Sequence, residues 1–113
     1  MIKFEDYKKL ALSLPETTQK PHFDLPSFRV KDKIFGTYWQ KEKKAMLRLS
    51  PEDQSVFCAL DKKTFFPVNG EWGRQGATFV NLKEVNKEMF KDALDCAYEF
   101  NLKGTPAIKK EKK

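Results

Sequence analysis

Apolar residues recur at Phe4, Tyr7, Leu10, Ala11 and Leu14, the spacing of one helical face. Glu5 and Asp6 suit the positive end of a first turn. Leu14-Pro15 ends the segment, because the residue before proline is pushed out of the α region. A helix is therefore predicted over residues 3–13. The next stretch, "ETTQKPHFDLPSFRV", reads as a loop with two prolines leading into a strand. There Phe28 and Val30 alternate with Arg29 and Lys31, the period of a sheet with one buried face. Asp32 marks the turn to a strand at 33–39, since Asp tolerates left-handed backbone. "QKEKK" at 40–44 is a second turn and "AMLRL" at 45–49 a third strand, which completes an antiparallel meander.

Ser50, Pro51 and Asp53 have capping-box spacing and open a helix that runs to about Leu60. "TFFPV" and "ATFVNL" are two further strands on either side of a glycine-rich loop. Asn81 with Glu84 repeats the capping pattern before a last helix at about 82–101. Its stripe of Val85, Met89, Phe90, Ala93, Leu94, Ala97 and Phe100 reads as core rather than a cofactor box. The expected order is α-β-β-β-α-β-β-α: an α+β domain at residues 1–102, with helices on one face of a five-stranded antiparallel sheet. A flexible basic tail is expected at 103–113, where Gly104 and Pro106 break the helix.

Composition sharpens this picture in three ways. Ten Phe and a 40% hydrophobic content over 113 residues suffice for one real core. No apolar stretch approaches the roughly 18 residues of a membrane span. The N-terminus mixes acids with its lysines and does not read as a signal peptide, so a cytosolic protein, and a monomer, is expected. Cys58 and Cys96 are too few and too far apart for a disulfide framework, and one histidine leaves little for a metal site. Both cysteines are read as reduced and buried; no metal and no cofactor is expected.

The formal charge is +6, but it is unevenly spread. Residues 29–48 carry seven basic groups against Asp32 and Glu42, and the tail carries five lysines against Glu111. Those two segments hold +5 and +4, which leaves the remainder of the chain at −3. Charge concentrated in this way suits an anionic partner. Arg29, Lys31, Lys33, Lys43, Lys44 and Arg48 form the candidate set, with Arg29 and Lys31 assigned by alternation to one outward face.

In "PVNGEWGRQGATFV" (67–80), Asn69-Gly70 is a turn signal, and backbone freedom accounts for Gly73 and Gly76 as well. Trp72 is read first as a lid folded back on the core. The alternative is that Trp72 and Arg74 project together, offering a stacking ring and a charge. The loop matches neither a P-loop nor a dinucleotide fingerprint. His22 has Asp24 nearby but no nucleophile pattern, so it is read as ordering its loop rather than catalysing. No catalytic constellation is visible, and an enzyme is not expected.

The segments "LSLP" (12–15), "KPHF" (20–23), "PSFRV" (26–30), "KIF" (33–35), "SPED" (50–53), "FFPV" (65–68), "WGRQG" (72–76) and "YEF" (98–100) stand in an order that resembles the MmcQ/YjbR family. Two positions depart from the pattern: Asp32 replaces a common Gly, and Ala77 a common bulky residue. The resemblance implies a frataxin-like (CyaY-like) α+β fold and a DNA-binding label, with projecting hairpins described as a double wing. On that reading the tips at 31–33 and 40–44 and the 69–76 loop contact the phosphate backbone with little sequence specificity. Arg29, Lys31, Lys33, Lys43, Lys44, Arg48 and Arg74 would neutralise phosphates while His22 and Trp72 pack or stack beside them. The alternative expectation is a non-enzymatic protein- or small-anion-binding module at the His22–Trp72 surface.

Overall fold

A computed structural model describes residues 1–103. Helix α1 (Phe4–Leu12) is followed by four strands in succession: β1 (Thr17–His22), β2 (Leu25–Val30), β3 (Lys33–Trp39) and β4 (Lys44–Arg48). Helix α2 (Pro51–Leu60), β5 (Phe65–Pro67), the single turn α3 (Glu71–Arg74), β6 (Ala77–Asn81) and α4 (Lys87–Lys103) complete the order. All strand pairs are antiparallel, in the order β1-β2-β3-β4-β6-β5.

The α+β class and the antiparallel meander agree with the sequence reading, but the sheet has six strands rather than five. The additional strand is β1, within the segment read as a loop. Its burial hardly alternates, so it carries no strand period. Its Pro21 stands opposite Pro26 of β2, and a proline that cannot donate to the ladder is tolerated on an edge strand. The second addition, α3, is too short for helical periodicity to register. Helix α4 includes Lys103, the first residue assigned from sequence to the tail; the remainder of that expected tail, residues 104–113, lies outside the described residues.

Helix starts follow the predicted chemistry with one shift. At α2, Ser50 Oγ accepts a hydrogen bond from the Asp53 N–H at 3.0 Å. At α4 the cap is Asn86 rather than Asn81, its Oδ1 accepting from Met89 N–H at 2.8 Å. Residues 82–85 form a turn that places Leu82 and Val85 in the core.

One face of the sheet carries Phe28, Val30, Phe35, Ala45, Leu47, Phe65 and Val80, all fully buried with Tyr7 and Ala11 of α1 and Phe90, Leu94 and Ala97 of α4. Tyr7 sits at its centre, edge-on to Phe90 with ring centroids 5.1 Å apart. Its hydroxyl donates to the Thr37 carbonyl at 3.2 Å, and burial pushes its ionisation far above the usual tyrosine range. Strand β3 meets β2 with a slipped register: Phe28 opposes Gly36, but Arg29 opposes Ile34. Phe35 is therefore the extra residue of a β-bulge, and both Phe35 and Gly36 face the helices. A side-chain carbon at Gly36 would collide with the Tyr7 hydroxyl.

Phe35 is fully buried and packs edge-on against Tyr98 at 5.7 Å. Phe35→Ala is expected to cost about 3–5 kcal/mol, a large part of a total of roughly 5–15 kcal/mol. Urea unfolding followed by far-UV circular dichroism should show the midpoint falling with the slope unchanged.

Candidate nucleic-acid interface

The alternation that buries one face leaves the other without a long helix. Leu25, Ser27 and Arg29 of β2, Ile34, Thr37 and Trp39 of β3, Lys44, Met46 and Arg48 of β4, and Phe79 of β6 point to that open face. Most of these residues, with His22, Lys33, Val68 and Trp72, line a groove of about 420 Å³.

The floor of the groove is aromatic at one end. Trp39 and Phe79 meet edge-on at 5.2 Å, and Phe66 joins the row 5.8 Å from Phe79. Lys44 Nζ stands 3.7 Å from the Phe79 ring centroid and 5.3 Å from that of Trp39, a cation–π arrangement. The Trp39 indole N–H donates to Thr37 Oγ1 at 2.9 Å, which fixes the ring. Arg29 makes long bonds to Ser27 Oγ (3.4 Å) and the Pro21 carbonyl (3.5 Å), which leave much of the guanidinium free for an incoming anion. Asp32 is the carboxylate among the lining residues, against Arg29, Lys33 and Arg48.

Trp72 comes from α3. Gln54 Nε2 donates to the carbonyls of Gly73 (2.9 Å) and Ala77 (3.0 Å), tying this turn to α2. Gly73 is needed for close approach rather than for conformational freedom, since an added Cβ would fall on the Val68 carbonyl. Gly70 and Gly76 do have positive φ, +85° and +113°, whereas Asn69 does not. The lid reading of Trp72 is corrected: the side chain is not sealed on the core, and the residue is 59% exposed at the groove. A four-residue turn has no apolar face to fold inward.

Of the nine residues singled out from sequence, His22, Arg29, Lys33, Arg48 and Trp72 line the groove, and Lys44 adjoins it over Phe79. Three stand elsewhere. Lys31 leaves the strand alternation because it and Asp32 take left-handed φ values, 51° and 64°. It turns toward a different cleft, with Glu16, Leu60 and Tyr98, and does not share a face with Arg29. Lys43 lies in the β3–β4 turn, exposed. Arg74 pairs with Glu71 at 3.6 Å; two residues from Trp72, it points about 200° away around the turn. The tips at 31–33 and 40–44 flank β3 at opposite ends; Asp32 and Lys33 of the first reach the groove, and Lys44 at the end of the second adjoins it over Phe79.

Sequence reasoning did not single out Trp39, Phe79 or Phe23. The first two were legible in principle, since each alternates with a neighbour committed to the core. Phe23 was not. It is 90% exposed at the β1–β2 tip with φ 58°, and its ring meets His22 at 4.7 Å. Left-handed backbone at a non-glycine residue costs roughly 1–2 kcal/mol. Among the described residues no three His, Cys, Asp or Glu side chains gather to hold a metal ion. Cys58 and Cys96 are not joined in a disulfide; Cys96 is buried and Cys58 half-buried, with burial raising the Cys58 pKa.

Gly73→Ala should displace α3 from Val68, shifting tryptophan emission and costing about 1–3 kcal/mol in urea unfolding. Unchanged emission and stability would show that α3 is not held by this contact.

Comparison with known proteins supports the architecture at two levels. The chain is similar to Deinococcus radiodurans protein DR2400, described with the domain DUF419, with TM-score 0.74 at 17% identity over 96% of this chain and 85% of that one. At that identity the likeness speaks for the fold. No curated protein is a significant match. The YjbR family model matches residues 12–100, from the end of α1 nearly to the end of α4, so every strand described above lies inside it, and the chain belongs to the YjbR family.

Proposed function

We propose that this protein binds DNA on the open face of its sheet. One observation carries the reading: Arg29, Lys33 and Arg48, separate in sequence, surround one groove with exposed Trp72 at its edge and Asp32 as the opposing carboxylate. Phosphate contacts need cations on an accessible surface, and they supply affinity without sequence reading. In this reading the double-wing description shifts. The parts that edge the surface are the β1–β2 hairpin, the 31–33 turn through Asp32 and Lys33, and α3, rather than the turn at 40–44. The protein acts without catalysis, as a cytosolic monomer, and a CyaY-like label for the fold belongs to the same proposal.

The concavity supports a second reading. A groove of about 420 Å³ falls in the range of roughly 300–1,000 Å³ typical of small-ligand sites, and a small aromatic anion would match its rings and arginines.

Fluorescence anisotropy of labelled DNA at two salt concentrations separates the readings. Changing both Arg29 and Arg48 to Ala is expected to weaken binding about tenfold or more and to reduce the salt slope by about 2. Lys31→Ala, on another surface, should change little. If the double variant binds like the parent, the open face is not the contact surface. If DNA does not bind at all while a small anion quenches tryptophan emission saturably, the second reading replaces the first.

A further inference from the structure

We infer that the groove takes an unpaired DNA strand, with bases stacked on Trp72 and Phe23; the inference rests on the nucleic-acid reading above. Four observations lead to it. Trp72 is 59% exposed, yet its turn is held by Gln54 and by the Gly73–Val68 contact. The backbone that carries this large ring is thus held in place rather than left on a loose loop. Phe23 is 90% exposed at a two-residue turn with left-handed backbone. Asn, Asp or Gly would close that turn with less strain, and neither packing nor turn geometry calls for a phenylalanine there.

The third observation concerns which rings are available. Trp39 and Phe79 already engage each other and Lys44. Trp72 and Phe23 have open faces, the second beside His22, which lines the same groove. Fourth, Arg29 and Arg48 line that groove within one sheet face, so a strand stacked on the rings would bring its phosphates to the guanidinium groups. A duplex keeps its base faces stacked inside, and a groove of this size does not admit its width. An unpaired strand offers base faces and phosphates together, and stacking tolerates any base.

The test uses the full chain with three fluorescein-labelled probes of equal length: oligothymidine, a duplex, and an abasic deoxyribose-phosphate strand. Oligothymidine is expected to bind roughly tenfold tighter than the abasic strand and the duplex at near-physiological salt. Trp72→Ala should weaken oligothymidine binding about 5- to 100-fold while leaving abasic binding nearly unchanged. Trp72→Phe should recover part of the loss, and Phe23→Ala should act in the same direction as Trp72→Ala. Both positions are exposed, and circular dichroism of each variant checks that the fold is intact. If the three probes bind equally, or the duplex binds best, and Trp72→Ala has no effect, the unpaired-strand inference is overturned while DNA binding stands. If no probe binds, the DNA reading fails and this inference with it.

Discussion

An extra residue in β3 decides which side chains this molecule offers to solvent. Without the bulge at Phe35, strict alternation from Thr37 and Trp39 would carry Phe35 to the open face and Ile34 to the core. The bulge lets Phe35 and Gly36 both turn toward the helices, where Gly36 leaves room for the Tyr7 hydroxyl and Phe35 fills the space against Tyr98. Beyond the bulge the pleat resumes in the opposite phase, so Ile34 and Arg29 face the groove on one side of it and Thr37 and Trp39 on the other. The packing demand of the core and the composition of the open face are therefore one constraint.

The same division explains the electrostatics. The basic segment 29–48 looks continuous along the chain, but strands and turns distribute it. Arg29, Lys44 and Arg48 share a face because each sits at an alternate strand position. Lys31 departs because the turn backbone rotates it out of the pleat. Arg74, two residues from Trp72, is diverted by about half a helical turn and by Glu71. What collects at the groove is a set of cations with aromatic rings between them. Lys44, placed over Phe79, shows the chemistry that such a surface favours: a cation held by ring faces, with the remaining rings open to a flat partner.

Much of the fold was legible in the sequence. The α1 period, the strand through Phe28–Val30, those at 33–39 and 45–49 and the Ser50 cap are all found in the structure near where they were expected. These are places where local preference and burial agree. Strand β1 was hidden because an edge strand buries little and needs no alternation, and its Pro21 argued for a loop. The start of α4 was misplaced by five residues because Asn81 and Asn86 both carry capping chemistry, and only the packing of Leu82 and Val85 chooses between them.

The sequence by itself determined the α+β class, the family, the core stripes of α1 and α4 and the presence of surplus aromatic and basic side chains. Those follow from periodicity, turn chemistry and composition, which act over a few residues. The tertiary structure alone decided which of those side chains meet. Arg29, Arg48 and Trp72 come together through strand pairing and through an α3 turn fixed by Gly73 against Val68 and by Gln54 of α2. Most of these groups come from different elements of the chain, and no local pattern encodes which of them meet.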